Sequence, residues 1–281
     1  MTPVVVPPER LAGNRERILR ILHPIIGHRF LPSTWIEHHL ERPCEHANFI
    51  RTLRDLRRKP NQYIYWPEQQ GYSLNASYKD GVHGLTDKGA RAVGLPLPRL
   101  NTQEYAHELG VSLVECSLKF GARDQGLAFE MAEPQRYRFG DVEYVPDGHP
   151  MLIGGIFVPG FEFERRKYKE NPDDTQEKIH KVIRFMKERI YEREGFSKAL
   201  VLFVATTERR TANLMAYVEE KIGACSFILF KTTPDWAREP KFPMPNGGML
   251  TEPWLRVGCP PLILAQAARK EGADVQNKDR D

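Results

Sequence analysis

Tyr144-Val145-Pro146-Asp147-Gly148 and, after an apolar run, Phe161-Glu162-Phe163-Glu164-Arg165 form the stretch that decides the fold of this chain. A helical segment that begins near Thr175 follows and carries Lys178 in its first turn. A carboxylate at one strand end, one or two more on the next strand and a nearby lysine can hold a divalent metal against a phosphate and activate a water. The stretch therefore predicts a nuclease-type site.

The segments around this stretch alternate between helical and strand patterns. Apolar residues recur at helical spacing in 105–119, 175–191 and 209–222. The continuous apolar run at 199–204 is typical of a strand buried on both faces, and further β-like runs lie at 127–131, 141–145, 160–164 and 225–230. The resulting order, α-β-β-β-α-β-α-β, predicts an α+β chain whose second domain has a mixed sheet flanked by helices.

The amino-terminal third has the pattern of three helices followed by a β-hairpin. The helical patterns cover 14–22, 34–40 and 44–59, and a β run at 62–66 has its expected return strand at 72–74. This order is that of a winged helix, whose third helix commonly enters the major groove of DNA. The alternative is a small interaction module with a solvated arginine face. The third-helix residues that would contact double-stranded DNA are Asn48, Arg51, Arg54, Arg57 and Arg58.

The composition permits a nucleic-acid partner without requiring one. The 281 residues carry a formal net charge of +4, so local clustering of basic residues must decide the question. Four scattered cysteines fit neither a CxxC metal site nor a disulfide framework. No apolar run approaches the ~20 residues that span a bilayer. We therefore expect a cytoplasmic protein without a membrane partner.

Several motifs, in their order along the chain, carry a resemblance to a known family. They are Tyr72-Ser73-Leu74, Leu85-Thr86-Asp87-Lys88-Gly89, His107-Glu108-Leu109, Val145-Pro146-Asp147-Gly148, Phe161 to Arg165, Glu177-Lys178-Ile179 and Thr207 to Leu214. Together they resemble the PD-(D/E)xK restriction-endonuclease-like fold behind a winged helix. More narrowly, the chain resembles the replication-relaxation family of plasmid, conjugative-element and phage proteins, which are similar to certain plasmid mobilisation relaxases. The likeness covers most of residues 14–260.

The resemblance implies a metal site with catalytic residues around it. Asp147, Glu162 and Glu164 would bind Mg²⁺ or Mn²⁺, and the two glutamates share one face because strand side chains alternate. Lys178 would orient the attacking water or offset the growing negative charge. His107 and Glu108 would add further catalytic groups.

The chain also departs from the family pattern. A lysine is expected two residues after the strand glutamate, where this chain has Glu164, so Lys178 or else Lys167 would have to replace it. Arg209 and Arg210, at the start of a helix, are candidates for phosphate contact. A simpler interpretation remains, in which Asp147 belongs to a β-turn and the following acidic strand is a solvated edge.

We expect a flexible amino terminus at 1–13, a winged-helix DNA-binding domain at 14–94, a PD-(D/E)xK-like domain at 101–260 and a disordered tail at 261–281. The expected function is DNA binding in the replication or mobilisation of a plasmid, conjugative element or phage, with metal-dependent DNA nicking as the candidate activity. One alternative is a non-catalytic transcription or replication regulator whose degenerate nuclease-like domain serves dimerisation or DNA binding. Another is an interaction protein that does not touch DNA. A covalent DNA link through Tyr105 or Tyr168 is also open.

Overall fold

The chain divides into two compact units. A computed structural model describes residues 8–40, 46–72, 81–94, 104–165, 172–239 and 241–278. Unit 1 comprises Met1–Leu113 and Trp236–Pro245, and unit 2 comprises Val114–Asp235 and Asn246–Asp281. The predicted boundary at 95–100 lies outside the described residues. In the structure the division falls between Leu113 and Val114, and a late segment of the chain returns to unit 1.

Unit 1 consists of helices and a three-stranded antiparallel sheet. Its elements are α1 (Pro8–His28), β1 (Phe30–Pro32), α2 (Ser33–His39), α3 (His46–Arg57), β2 (Ile64–Tyr65), a 3₁₀ turn (Glu68–Tyr72), β3 (Val82–Leu85), α4 (Asp87–Val93) and the start of α5 (Tyr105–Asp124). The strand order is β1-β3-β2, so β3 is the central strand.

Apolar side chains explain the packing of unit 1. Helix α3 buries Phe49, Leu53 and Leu56, which lie on one face at helical spacing. Helix α4 starts where the sequence indicates, because the side chain of Thr86 caps it by accepting a hydrogen bond from Gly89 N. The arginine-rich face of α3 is therefore left outward while its apolar face joins the core.

Two sequence-based expectations for unit 1 are wrong. The partner of β2 is Val82–Leu85, with Ile64 opposite Leu85, whereas Tyr72 ends a 3₁₀ turn. His83 and Gly84 interrupt the apolar pattern of this strand, although all four of its residues are buried, and this interruption concealed it. Helix α1 begins at Pro8, within the part of the chain expected to be flexible. Proline suits the first helical position because its missing amide donor would have no partner there.

Unit 2 is built from short antiparallel strands and a five-stranded mixed sheet. Its elements are the rest of α5, β4 (Phe129–Met131), β5 (Tyr137–Phe139), β6 (Val142–Tyr144), β7 (Met151–Ile153), β8 (Ile156–Val158), β9 (Phe161–Glu164), α6 (Pro172–Lys187), a 3₁₀ turn (Ile190–Glu192), β10 (Val201–Ala205), α7 (Glu208–Ile222), β11 (Ile228–Thr232), α8 (Gly248–Thr251), β12 (Trp254–Arg256), β13 (Cys259–Leu262) and α9 (Leu264–Lys278).

The centre of unit 2 is a parallel β-α-β-α-β arrangement. Strand β10 pairs in parallel with both β9 and β11, and helices α6 and α7 make the two connections. Every residue of β10 is buried, as its continuous apolar run predicts. Strands β12 and β13 extend the sheet in antiparallel fashion beyond β11. The expectation of a mixed α and β chain is thus confirmed.

Other parts of unit 2 differ from the sequence-based expectation. The apolar run after Gly148 is a hairpin, β7 and β8, turned by Gly154 and Gly155, which both have positive φ. The expected disordered tail is wrong for most of its length, because α9 covers Leu264–Lys278 and buries Leu264, Ala265 and Ala268. Three apolar residues among many charges were too weak a signal for a packed helix. Within the described residues, no helix has the length and apolarity to cross a membrane.

Candidate functional site

A tight turn places Asp147 beside strand β9. Gly148 N donates a hydrogen bond to Phe161 O at 3.0 Å. A Cβ on Gly148 would lie 2.0 Å from the Phe161 ring, so only glycine allows the turn to approach the strand this closely. Asp147 is then held by Phe163 N, which donates to its Oδ2 at 2.9 Å.

Strand β9 supplies two further carboxylates at its carboxyl end. Glu162 and Glu164 point to the same face, because they are two residues apart on one strand. Their strand pairs with β10 in parallel, with Phe203 opposite Glu162 and Ala205 opposite Glu164. Ligand sites of α/β sheets lie at this end of parallel strands. Both glutamates are buried, Glu162 completely, so neither belongs to a solvated edge strand.

Lys178 brings the three carboxylates together. It lies on α6, and its Nζ is 2.7 Å from Glu162 Oε2, 3.1 Å from Asp147 Oδ2 and 3.7 Å from Glu164 Oε1. We call Asp147, Glu162, Glu164 and Lys178 the carboxylate cluster. All four were predicted from the sequence to belong to one site. The structure places the three carboxylates around the ammonium group of Lys178.

Arg210 and Thr175 complete the surroundings of Glu164. Arg210 Nη2 donates to Glu164 Oε2 at 2.8 Å and to Thr175 Oγ1 at 2.6 Å. Arg210 is oriented by the start of α7, where its backbone N–H donates to the capping Thr207 side chain. Arg210 was expected to contact phosphate, and its position beside Glu164 was not foreseen. Its neighbour Arg209 is exposed.

Burial removes charged groups of the carboxylate cluster from water and thereby shifts their pKa values. Burial raises the pKa of Glu162 well above its usual value, and the neighbouring charge of Asp147 raises it further, although Lys178 opposes the shift. Burial acts to lower the pKa of Lys178, but the charges of Glu162, Asp147 and Glu164 prevail and raise it. Burial is therefore the largest influence on the Glu162 pKa, ahead of its charged neighbours.

Tyr144 is a buried neighbour of Glu162. The residue is buried, and both its burial and the carboxylate of Glu162 raise the pKa of its hydroxyl. Its hydroxyl oxygen makes no hydrogen bond of acceptable geometry in the structure. Tyr144 thus stays protonated beside Glu162.

The cluster fits a divalent cation. Both carboxylate oxygens of Glu162 are buried and accept no hydrogen bond. Lys178 Nζ lies at ion-pair distance from one of them, and its charge opposes the rise in the Glu162 pKa. A buried carboxylate requires a compensating cation, which the Lys178 ammonium supplies here, and Mg²⁺ prefers a couple of carboxylate oxygens together with water and phosphate oxygens. Asp147 and Glu162 have the chemistry to hold such an ion, but with Glu164 they are not among the groups of described residues whose ligand atoms all lie within 4.8 Å of one another.

Glu115 is a supporting residue that the sequence analysis missed. It lies on α5, is almost fully buried, and its Oε1 accepts from His149 N at 2.9 Å and lies 2.7 Å from His149 Nδ1. His149 comes directly after the Asp147-Gly148 turn, so Glu115 fixes the segment that carries Asp147. A lone carboxylate within the apolar run 111–118 was the available signal.

Glu108 and His107 lie in unit 1, whereas the carboxylate cluster lies in unit 2. Glu108 forms an ion pair with Arg29, and with Glu104 and His107 it forms a group whose ligand atoms lie within 4.8 Å of one another. Their catalytic role stays a prediction. Lys167 and Tyr168 lie outside the described residues.

Tyr105 has few of the properties of a nucleophile. It is 4% exposed, and burial raises the pKa of its hydroxyl. A buried, protonated phenol can neither reach nor attack a DNA phosphate without a rearrangement.

The predicted DNA-contacting face of α3 is outward. Arg51, Arg54 and Arg58 are exposed and Asn48 is half-buried. The Arg57 guanidinium lies 3.6 Å from the centre of the Trp66 ring, in a cation–π contact, and Trp66 itself is 51% exposed. The face therefore offers basic groups and an aromatic surface to a partner.

No protein-family model, curated protein or solved structure matches this chain. The replication-relaxation assignment therefore stays a prediction from the motifs.

Proposed function

We propose that this protein binds double-stranded DNA and nicks it with the help of Mg²⁺ or Mn²⁺ at the carboxylate cluster, in the replication or mobilisation of a plasmid, conjugative element or phage. The observation that carries the proposal is the position of Lys178 Nζ. Carboxylate oxygens of Asp147, from a turn, and of Glu162, from a strand, both lie within 3.1 Å of this nitrogen. A solvated charged surface would not place these groups together with a fully buried glutamate.

The chemistry follows from what each residue can do. A divalent cation, when bound, polarises the scissile phosphate and lowers the pKa of a bound water. Asp147 and Glu162 supply the carboxylate oxygens for it, and Phe163 N keeps Asp147 in place. Lys178 is a donor that can offset the negative charge developing on the phosphate. Arg210 neutralises Glu164, so that this third carboxylate does not repel the DNA.

DNA recognition is assigned to unit 1. The order α1-β1-α2-α3-β2-β3 is compatible with a winged helix, in which α3 would enter the major groove. Support comes from the exposed Arg51 and Arg54 on the face of α3 opposite its buried apolar residues, and from the exposed Arg58 directly after the helix. These arginines would neutralise phosphates and make binding depend on salt.

The test is cleavage of supercoiled plasmid with Mn²⁺ or Mg²⁺. We expect nicked product from the native protein and at least about 100-fold less from Asp147→Asn or Glu162→Gln, since even outer partners of metal ligands contribute 10- to 100-fold. Glu177→Gln is the matched control, because Glu177 precedes Lys178 on α6 but is exposed and pairs with Lys181. Product that persists unchanged in both cluster variants would contradict the proposal.

A second candidate is a non-catalytic DNA-binding regulator. The observation in its favour is that Lys178 pairs with all three carboxylates and Arg210 pairs with Glu164, so the cluster can stabilise the fold by itself. This candidate predicts DNA binding with no nicked or linear product under any metal. The same plasmid assay therefore separates the two.

A further inference from the structure

The Lys178 ammonium occupies the place in the carboxylate cluster that a bound cation would take. Its Nζ lies 3.3 Å from Asp147 Oδ1 and 3.1 Å from Asp147 Oδ2, and it also lies 2.7 Å from Glu162 Oε2. These are the carboxylates proposed above to hold the metal. A divalent ion and the ammonium group cannot both lie between the same oxygens.

Hydrogen bonds hold two of the carboxylates, whereas the Lys178 side chain is partly exposed. Asp147 is held by Phe163 N, and Glu164 is held by Arg210 and Thr175. Glu162 is 0% exposed, but the Lys178 side chain is 36% exposed, so its flexible stem has solvent to move into. The Lys178 ammonium is therefore the group of the cluster with the most access to solvent.

Glu162 shows that the lysine satisfies the site incompletely. Both of its oxygens are buried without a hydrogen bond, and Lys178 is the cation that the described part of the chain brings to ion-pair distance from it. Lys178 donates hydrogen bonds to both oxygens of Asp147 and makes only an ion pair with Glu162. A divalent ion that bound Glu162 directly would compensate its charge more fully than this shared ammonium does.

We propose that Lys178 is a built-in competitor for the metal: its ammonium holds the cation position in the metal-free protein and must leave before a divalent ion binds. The inference rests on the proposed function only in using the same carboxylates for the metal. Metal binding is then an exchange of the Lys178 ammonium for a divalent ion. When the metal is scarce, the ammonium continues to compensate the charge of the carboxylates.

The experiment is a calorimetric titration of the full-length protein with Mn²⁺ in the absence of DNA. We expect Lys178→Met to bind Mn²⁺ at least about tenfold more tightly than the native protein, because the competing charge a few ångströms away is gone. Lys181→Met, on the same helix but paired with the exposed Glu177, should match the native protein. Adding Glu162→Gln to Lys178→Met should remove the gain.

Lys178→Gln provides a second neutral variant if the methionine variant does not fold, as judged by circular dichroism. Mn²⁺ affinity that is unchanged or weaker in the neutral variants overturns the inference, and so does the absence of binding to native and variant proteins alike. The plasmid assay keeps the two ideas distinct. Cleavage by the native protein with unchanged affinity in the variants contradicts only the competition, whereas tighter binding without any cleavage contradicts only the nuclease.

Discussion

Glu162 is the residue on which the proposed site depends most. It is the one carboxylate of the cluster with no exposed surface, and its oxygens accept no hydrogen bond. Burying an ionised carboxylate is unfavourable unless a cation compensates it. An apolar residue would fill this buried position at a lower free-energy cost, so packing alone does not explain Glu162. Its position between Asp147 and Lys178 points to cation chemistry.

His83 gives a prediction that is independent of the nuclease. It is 4% exposed on β3, and Ser33 Oγ donates to Gly81 O, so the hydroxyl must accept from His83 Nε2–H. Burial and the nearby charge of Arg57 lower the pKa of His83 to about 3. The unfolded chain, with a histidine pKa of about 6.5, therefore binds a proton that the folded chain does not.

Stability should consequently fall as the pH falls through this window. The contribution of His83 is fully present above about pH 6.5, and about 2 kcal/mol of it is lost by pH 5. Urea unfolding at pH 7 and pH 5 should show this loss in the native protein and not in His83→Gln. The exposed His23→Gln is the control and should keep the loss. Equal pH dependence in native protein and His83→Gln would show that His83 is not a buried neutral histidine.

The site residues differ in how far the sequence could reveal them. Asp147, Glu162, Glu164 and Lys178 could be predicted because their types and order fit one chemistry and lie close along the chain. Arg210 and Glu115 join the surroundings of the site from α7 and α5, and their contacts depend on how those helices pack. In the sequence, such a tertiary contact is indicated only weakly, by a charged residue beside apolar ones.

At the scale of elements, the spacing of apolar residues in the sequence identified the long and regular helices and strands. The runs of α6, β10 and α7 bury wide apolar faces, and these elements lie close to their predicted ranges. Short strands carried too few residues for a pattern, as with β7 and β8, whose Gly154-Gly155 turn was the stronger signal. The central strand β3 was missed because it buries a histidine and a glycine.

Helix α3 is the element that tests the DNA proposal. Arg54→Ala removes an exposed charge from its outward face without touching the buried Phe49, Leu53 and Leu56. We expect weaker binding to all duplex sequences if Arg54 contacts phosphate, with the slope of log affinity against log salt reduced by about 1. Fluorescence anisotropy with labelled duplex DNA at several salt concentrations measures both quantities.

Arg20→Ala is the matched control for α3. Arg20 is exposed on α1 of the same unit, where it pairs with Glu16. If both arginine variants show the native slope, the outward face of α3 is not a phosphate-binding surface. Unit 1 would then be better described as an interaction module.

At the scale of the whole molecule, the two units carry the two halves of the proposal. Basic groups for DNA binding lie on α3 in unit 1, and the carboxylate cluster lies in unit 2. The sequence suggested two domains but not that Trp236–Pro245 returns to unit 1, where Trp35 Nε1 donates to Pro243 O at 2.9 Å. Contacts between residues so distant along the chain leave no local pattern.

The central claim is that the carboxylate cluster is a divalent-metal site, and the most direct test is anomalous diffraction from crystals of the full chain soaked in Mn²⁺. We predict a peak at coordination distance, about 2 Å, from oxygens of Asp147 and Glu162, with the Lys178 ammonium moved out of the cluster. A peak at Glu104, His107 and Glu108 alone, or no peak at the cluster with Lys178 still paired to Asp147 and Glu162, would contradict the account.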